Sequence, residues 1–244
     1  MHEDYDVLIV GGGPSGLTAG VFTARAGLDT AIVDAGSSIL RRNAHLENFP
    51  GFPAGVDARL LLDLVGEQAE RAGADHLGAE VVSLSATDDG FVAETAAGEA
   101  LHARYVVCAT KNEVGYLEDL AGVTLVDRGK RYVETDRRGR TGVPGVYAAG
   151  RLAGHAHQAI VSAGNGAEVA VTLLEDADVP FYHDWVAPGG YFTGRDRDVP
   201  PGCEEIDDAE RRRRERDARE LVRERLAEPH PETPEQHPSL VEDE

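Results

Sequence analysis

A glycine-rich turn between an apolar run and a helix constrains this chain more than any other feature. Residues 5–10 predict a buried strand, "GGGPSG" follows, and residues 17–26 predict a helix closed by Gly27. A second apolar run, "TAIVDA", predicts the next strand. Together they predict a β-α-β unit, and therefore an α/β fold built on a parallel sheet.

The turn contains the pattern GxGxxG in Gly11, Gly13 and Gly16. The first glycine permits the turn, the second lets a pyrophosphate approach the backbone, and the third lets helix and strand pack closely. Asp34 follows 18 residues after the last glycine, where a carboxylate accepts hydrogen bonds from ribose hydroxyls. We expect an adenine dinucleotide to rest on the helix N-terminus. The alternative is a tight glycine turn without a ligand.

The α/β pattern continues to about residue 175. Residues 36–55 predict a loop, and residues 56–71 a core-facing helix with Asp57 near its start. Runs at 79–85, 91–95 and 100–104 predict a three-stranded β-meander. "YVVCAT" and "GVYAAG" predict two further buried strands, and residues 157–175 a second long helix. We therefore expect a Rossmann-like FAD/NAD(P)-binding fold over residues 1–175.

The character of the sequence changes after this domain. Residues 176–206 are rich in proline, glycine and aromatic residues and predict an extension lying on a surface. Residues 207–228 predict a charged helix with a thin apolar stripe, which is either solvated or docks on a partner or a second copy. Residues 229–244 are rich in proline and glutamate and predict disorder.

The charge balance excludes some classes of function. With 44 acidic and 24 basic residues the net charge is −20, which disfavours nucleic acids and anionic membranes as partners. Lys111 and Lys130 are the only lysines, a composition typical of proteins from salt-loving archaea, although an ordinary acidic protein could share it. The two cysteines, Cys108 and Cys203, form no CxxC. The N-terminus is acidic and unlike a signal peptide. We therefore expect a cytoplasmic protein without a membrane span.

Four separated segments, in order, resemble the flavin domain of thioredoxin reductases. They are "LIVGGGPSGLTAGVFTARAGLDTAIVD", "HLENFPGFPAGVDARLLLDLVGEQAERAGA", "YVVCAT" and "TGVPGVYAAG…QAIVSAGNGAEVA". The resemblance implies FAD as cofactor, with NAD as the alternative. It also implies that the loop with Asn48 lies against the flavin and that Gln158 lies near the flavin ring. The candidate cofactor-binding residues are Gly11, Gly13, Pro14, Ser15, Gly16, Asp34, Asn48, Val82, Ala109, Thr110, Lys111, Gly150, Arg151, His157 and Gln158.

The chain departs from this family in two ways. The family carries an NADPH-binding domain with a redox-active CxxC between the third and fourth segments. Here a short connection, residues 111–140, joins them and contains neither GxGxxG nor CxxC. We therefore expect no dithiol relay to thioredoxin within this chain.

The second departure lies at the cofactor itself. Lys111 stands where the family has glycine, and Arg151 where it has an aspartate that contacts the ribityl chain. Arginine only donates hydrogen bonds, but it can pair with a pyrophosphate. Either FAD is held by its phosphates with altered ribityl contacts, or the fold binds a smaller ligand such as NAD or ADP-ribose. A third interpretation is that Arg151 simply points to solvent.

Other candidate residues carry weaker signals. His155 and His157 flank the expected flavin edge as possible proton donors or as ordinary helix-entry residues. Cys108 is expected to be a core residue rather than a nucleophile, and His45 could line a substrate pocket. No cluster has metal-ligand spacing, and the catalytic residues stay unknown.

Three functions remain open on the sequence. The first is a flavin-dependent oxidoreductase that exchanges electrons with a small molecule or a partner protein, with a homodimer as a possible assembly. The second is a non-catalytic dinucleotide-binding sensor or subunit. The third, a biosynthetic enzyme on a related glycine-rich fold such as a thiazole synthase, fits the motifs after Asp34 less well.

Overall fold

The computed structural model describes residues 4–180 and 183–237. In chain order its strands and helices are β1 (Asp4–Val10), α1 (Pro14–Arg25), β2 (Thr30–Val33), α2 (Ala58–Ala72), β3 (Asp75–Leu77), β4 (Val81–Ala86), β5 (Phe91–Thr95), β6 (Ala100–Cys108), β7 (Leu125–Asp127), β8 (Arg131–Val133), β9 (Val146–Ala148), α3 (Ala159–Asp176), β10 (Trp185–Pro188), β11 (Cys203–Ile206) and α4 (Asp208–Arg225). The α/β class and the Rossmann-like arrangement predicted from the sequence are confirmed.

A parallel sheet with the order β3-β2-β1-β6-β9 forms the centre of the fold. The predicted third meander strand and the predicted "YVVCAT" strand are one continuous strand, β6. Ala103 on β6 pairs with Tyr5 in parallel and with Phe91 in antiparallel register. The burial of β6 alternates at its start and becomes continuous at its end, because only the end is covered on both faces.

Helices cover one face of the sheet and the meander covers the other. Helix α1 packs against both α2 and α3, and their apolar residues form one core with Ile9, Ile32 and Val107 of the sheet. On the opposite face, Leu8 and Val106 pack with residues of the meander. The carboxyl ends of the parallel strands therefore open at one edge between two packed layers, which is where ligands bind in such sheets.

Local sequence explains where the helices begin and end. Helix α1 begins at Pro14, earlier than predicted, because proline suits the first helical position. The Asp57 carboxylate caps α2 by accepting hydrogen bonds from the N–H groups of Arg59 and Leu60. Helix α2 ends at Gly73, whose φ of +109° is in the left-handed region.

The connection between β6 and β9 is compact. It contains a short 3₁₀ helix, Gly115–Leu117, and the antiparallel hairpin β7–β8. Gly129 closes the hairpin with φ +78° and donates its N–H to the Asp127 carboxylate. Residues 111–140 therefore consist of this short helix, the hairpin and the turns that join them.

The C-terminal part of the chain attaches to this domain through exposed ion pairs. Strands β10 and β11 pair in parallel, and Asp184 pairs with Arg25 of α1. Helix α4 has no buried residue, and its Arg225 pairs with Glu67 of α2. The proposed division at 176, 207 and 229 stays a prediction. So does the disorder of 229–244, of which residues 238–244 lie outside the described residues.

Among the described residues, no helix has the length and apolar character required to cross a membrane.

Candidate functional site

The glycine turn is fixed by close backbone contacts at two positions. Gly11 has φ +113°, and a Cβ there would lie 2.7 Å from the carbonyl oxygen of Ala109. A Cβ on Gly16 would lie 1.9 Å from the carbonyl oxygen of Gly11. Both positions therefore require glycine for packing, as the first and third positions of the motif predict.

Gly13 differs because the space above it is open. The nearest heavy atom to a Cβ on Gly13 would be Oγ of Ser38, at 3.7 Å. Gly13 is the N-cap of α1, and no side chain caps this helix. The first-turn N–H groups after Pro14 are therefore left for a ligand. We call the open space next to Gly13 the cradle. Its position at an uncapped helix N-terminus fits the pyrophosphate of a dinucleotide.

The carboxylate of Asp34 lies beside this turn. A Cβ on Gly12 would lie 2.1 Å from Oδ2 of Asp34, so the middle glycine of "GGG" makes room for the acid. The sequence analysis did not identify Gly12 as a site residue, although the third consecutive glycine in "GGG" could have indicated it. Burial opposes ionisation of Asp34, but the nearby imidazole of His76 and the hydrogen bond from the N–H of Gly36 outweigh it and lower the carboxyl pKa.

His76 on β3 is a second residue that sequence reasoning missed. Its Nε2 lies 3.9 Å from Oδ2 of Asp34, and its Nδ1 lies 3.6 Å from Oε1 of Glu70. The interaction with Asp34 and, after it, the charge of Glu70 raise the pKa of His76 against the effect of burial.

A cavity of about 240 Å³ opens beside Asp34 and His76. It is lined by Gly12, Leu17, Asp34, Arg41, Leu62, Asp63, Gly66, Glu67, Glu70 and His76. Because Asp34 is at the position that binds ribose in such folds, we call this cavity the adenosine end of the cleft.

The ends of β6 and β9 form the other side of the cleft. Ala109 donates its N–H to the Val10 carbonyl, and Ala149 donates to Cys108. Gly150 has φ +65°, and a Cβ there would lie 2.6 Å from Oγ of Ser15. These contacts bring the predicted site residues Ser15, Ala109 and Gly150 together.

Below Gly150 lies a buried amide. Asn165 of α3 accepts the N–H of Gly150 through Oδ1 at 2.6 Å. Its Nδ2 is buried and has no hydrogen-bond partner in the described part of the chain.

Lys111 and Arg151 lie together on the side of the β7–β8 hairpin. Lys111 has φ +63°, which explains why glycine suits this position in the family it resembles. Arg151 is half-buried and donates from Nε to Oδ1 of Asn112 at 3.2 Å, so it does not simply extend into solvent. Its guanidinium carbon lies 6.0 Å from the centre of the Tyr132 ring. We call the region around Lys111, Lys130 and Arg151 the hairpin end of the cleft.

Three further candidate residues are His157, Thr110 and Cys108. Partial burial, then the charges of Arg151 and Lys111, lowers the pKa of His157 and favours its neutral form. Thr110 donates to the carbonyl of Glu113 at 2.6 Å. Burial raises the pKa of Cys108 to about 12, which agrees with a core residue and not a nucleophile.

The loop that contains Asn48 meets the start of α3. Asn48 donates from Nδ2 to Oε1 of Gln158 at 2.8 Å, so two predicted site residues from distant segments are in contact. His45 contacts the carbonyl of Ala54 within its own loop. Val82 is exposed on β4 and does not line the cavity beside Asp34. Within the described residues, no group of three or more His, Cys, Asp or Glu side chains could hold a metal ion.

Comparisons with known proteins agree with this geometry. The FAD binding domain family matches residues 4–48. The thioredoxin reductase of Streptomyces clavuligerus is 36% identical over 117 residues, which are 46% of this chain and 36% of that protein. The bifunctional thioredoxin reductase/thioredoxin of Mycobacterium leprae is 36% identical over 132 residues, which are 52% of this chain and 29% of that protein. The chain thus spans about a third of the length of the curated relatives it matches.

Among solved structures, the thioredoxin reductase of T. acidophilum superimposes with a TM-score of 0.66 at 21% identity, covering 72% of this chain and 100% of that chain. That likeness establishes the fold. Sequence and fold both point to FAD as the cofactor. The chain is therefore similar in sequence and fold to thioredoxin-reductase-like FAD oxidoreductases, and the sequence similarity covers part of their length.

Proposed function

We propose that this chain binds FAD in the cleft and acts as a flavin-dependent oxidoreductase that exchanges electrons directly with a small molecule or a partner protein. The observation that supports this most is the combination of an open cradle at Gly13 with the Asp34 carboxylate at one edge of the sheet. Both features are needed to hold the ADP half of the cofactor.

Different segments of the chain would bind different parts of the cofactor. The first-turn N–H groups of α1 would hold the pyrophosphate, and Asp34 would accept hydrogen bonds from the ribose. The segment from Ala109 to Lys111 and the turn at Gly150 would lie along the rest of the cofactor. When bound, FAD supplies the capacity to accept and release electrons.

We further propose that reductant reaches the site without a dithiol relay inside this chain. The two cysteines are Cys108, buried on β6, and Cys203, at the start of β11. The connection at residues 111–140 holds a short 3₁₀ helix and a hairpin, which supports this proposal. The donor or acceptor must therefore come to the cleft as a separate molecule or a separate domain.

The first experiment is an absorbance spectrum of the purified full chain with extraction of its cofactor. We expect flavin bands and FAD close to one per chain. Gly13→Val should abolish them while the far-UV spectrum stays native, because the side chain fills the cradle. Gly194→Val is the matched control, since a Cβ there has no neighbour within 4 Å and lies away from the cleft. Unchanged FAD content in Gly13→Val would overturn the site.

A coupled assay with NADPH and thioredoxin tests the proposal that the chain has no internal dithiol relay. We expect no thioredoxin reduction by the isolated chain, whereas an artificial electron acceptor should be reduced once the flavin has been photoreduced. Robust NADPH-dependent turnover by the isolated chain would contradict the proposal.

A second candidate is a non-catalytic sensor or subunit that binds FAD, NAD or ADP-ribose. The observation that favours it is the cavity beside Asp34, because all three ligands share the adenosine that this end would hold. Extraction separates the two candidates, since recovered NAD or ADP-ribose instead of FAD would favour the sensor.

A further inference from the structure

We propose that Lys111, Lys130 and Arg151 form an anion-binding site at the hairpin end of the cleft. The small-molecule substrate of the proposed oxidoreductase is accordingly an anion held through a carboxylate or phosphate group. The substrate class rests on the proposed function, whereas the anion site rests on the contacts of Arg151 and the charges of the three side chains.

The distribution of positive charge is the first observation. In a chain of net charge −20, both lysines lie in this one region. Lys111 follows β6, and Lys130 lies between β7 and β8. Partial burial, followed by the charges of Lys130, Arg42 and Arg151, lowers the pKa of Lys111. The cations are therefore close enough to repel one another, and an anion between them would relieve that repulsion.

Arg151 is held in a fixed orientation by the hairpin side of the cleft. Asn112 accepts from Nε of Arg151 and donates from its own Nδ2 to the carbonyl oxygen of Arg131 on β8, at 2.8 Å. This chain of hydrogen bonds uses only Nε of the guanidinium. Nη1 and Nη2 of Arg151 make no hydrogen bond with any described residue. Two parallel donors held in place are the arrangement that binds a carboxylate or a phosphate in a bidentate manner.

None of the three cations forms a direct ion pair in the described part of the chain, although the charge of Glu113 acts on Lys111. Within residues 4–180 and 183–237, no ion pair joins Lys111, Lys130 or Arg151 to a carboxylate, whereas neighbouring Arg131 pairs with Glu118. Cations that lack a direct ion pair and lie in one region produce a local positive potential that attracts small anions despite the negative net charge.

The backbone at Lys111 supports a role for this side chain. A non-glycine residue in the left-handed region costs about 1 kcal/mol or more, and Lys111 adopts φ +63°. Strain of this kind clusters at functional sites, where the side chain contributes more than the backbone loses.

The cofactor pyrophosphate is the main competing occupant. The N-terminus of α1 already provides a place for it at Gly13, while the contacts of Arg151 are with Asn112 and Tyr132 on the connection. We therefore assign the three cations to a separate anion, and the experiment below distinguishes the two.

The test uses the full chain and two probes, inorganic phosphate and acetate, at constant ionic strength maintained with NaCl. Calorimetry measures binding, and the flavin absorbance difference spectrum reports a ligand next to the cofactor. We expect saturable binding of at least one probe to the unmodified chain. Arg151→Ala and Lys130→Ala should each weaken it by about tenfold, with FAD content unchanged. Whichever probe binds more tightly identifies the substrate as a phosphate ester or a carboxylate.

Arg137→Ala is the matched control, because it removes one exposed positive charge from the same connection. It should leave probe binding unchanged. Non-saturable binding, or equal weakening by all three variants, would overturn the site. Loss of FAD in Arg151→Ala with probe binding intact would show that the cation holds the cofactor pyrophosphate and would also overturn it.

Failure of the proposed function gives a different result. If the purified chain contains no flavin, calorimetry with phosphate and acetate still measures the anion site in the same protein. Saturable binding that is lost in Arg151→Ala would then retain the site while the oxidoreductase proposal is abandoned.

Discussion

The two ends of the cleft lie at the same edge of one sheet but carry opposite charge. At the adenosine end, Asp34 and Glu70 share His76, while Asp63 lies 3.5 Å from Arg41. At the hairpin end, Lys111, Lys130 and Arg151 make no ion pair with any described carboxylate. The lining of the first end has four carboxylates against one arginine and one histidine, so it suits an uncharged nucleoside rather than an anion. The second end has positive side chains without an ion-pair partner among the described residues and suits an anion.

This difference follows from how each end is built. The adenosine end uses strand ends and a helix of the β-α-β unit, where spacing along the sequence fixes the acid near the glycine turn. The hairpin end uses the connection between β6 and β9, a segment that can vary without disturbing the sheet. The comparison predicts that variants at the two ends have separable effects.

The largest effect is expected inside the glycine turn itself. Gly16→Ala places a Cβ 1.9 Å from the carbonyl of Gly11, so it should destabilise the fold by about 1–3 kcal/mol or more. Gly13→Ala, which meets no atom closer than 3.7 Å, should leave thermal stability nearly unchanged. Thermal denaturation of both apoproteins measures the contrast. Equal melting temperatures would mean that the turn is not packed as described.

The next effect concerns the adenosine end. Asp34→Asn should weaken cofactor binding by about tenfold to a hundredfold, because the ribose loses a charged acceptor worth ~1.5–3 kcal/mol. Glu67→Gln serves as the control, since Glu67 lines the same cavity but pairs with Arg71 and Arg225 rather than with His76. Fluorescence titration with FAD measures both. A similar loss in the two variants would mean that cavity charge, not the ribose contact, sets affinity.

At the hairpin end, relief of the backbone strain at Lys111 should change the stability of the fold by a smaller amount and in the opposite direction. Lys111→Gly should stabilise the fold by about 0.5–1 kcal/mol, because glycine adopts positive φ without steric cost. Lys111→Ala retains the strain and should not stabilise. Chemical denaturation compares the two. Stabilisation by alanine alone would attribute the effect to charge repulsion rather than to the backbone.

The pair of Asp34 and His76 predicts a pH dependence confined to the adenosine end. The pKa of His76 is raised in the folded state, so its contribution is complete below about pH 6.5 and is lost as pH rises through its folded pKa. The pKa of Asp34 is lowered, so its contribution is complete above about pH 4 and is lost as pH falls through its folded pKa. The difference in melting temperature between the unmodified chain and His76→Gln should therefore be largest near pH 5–6 and shrink on both sides. A difference that does not vary with pH would contradict this pairing.

The smallest effect is expected where the C-terminal part meets α2. Arg225→Ala removes an exposed ion pair with Glu67 and should leave the melting temperature unchanged within error. The same variant should not alter FAD content. A clear fall in either would show that α4 supports the cleft more strongly than its exposed contacts indicate.

Features fixed by neighbouring residues were accessible from the sequence. The turn with Gly11, Gly13 and Gly16, the position of Asp34 and the cap at Asp57 each depend on spacing within one β-α-β unit or one helix turn. Such spacing determines backbone sterics and local hydrogen bonds directly, so the α/β class and the glycine turn followed from it.

The meeting of distant residues was decided only by the tertiary structure. The continuity of β6, the contact of His76 with Asp34 and the placing of Lys130 near Lys111 and Arg151 depend on strand order and on the hairpin, which no local pattern encodes. Asn112 could not be assigned a role from its own neighbours, because its partners, Arg131 and Arg151, lie 19 and 39 residues away. The sequence by itself therefore determined a dinucleotide-binding turn with its acid, since both are properties of a short stretch of chain. The charge of the opposite end was decided by packing, because it arises only when three separate segments are brought to one edge of the sheet.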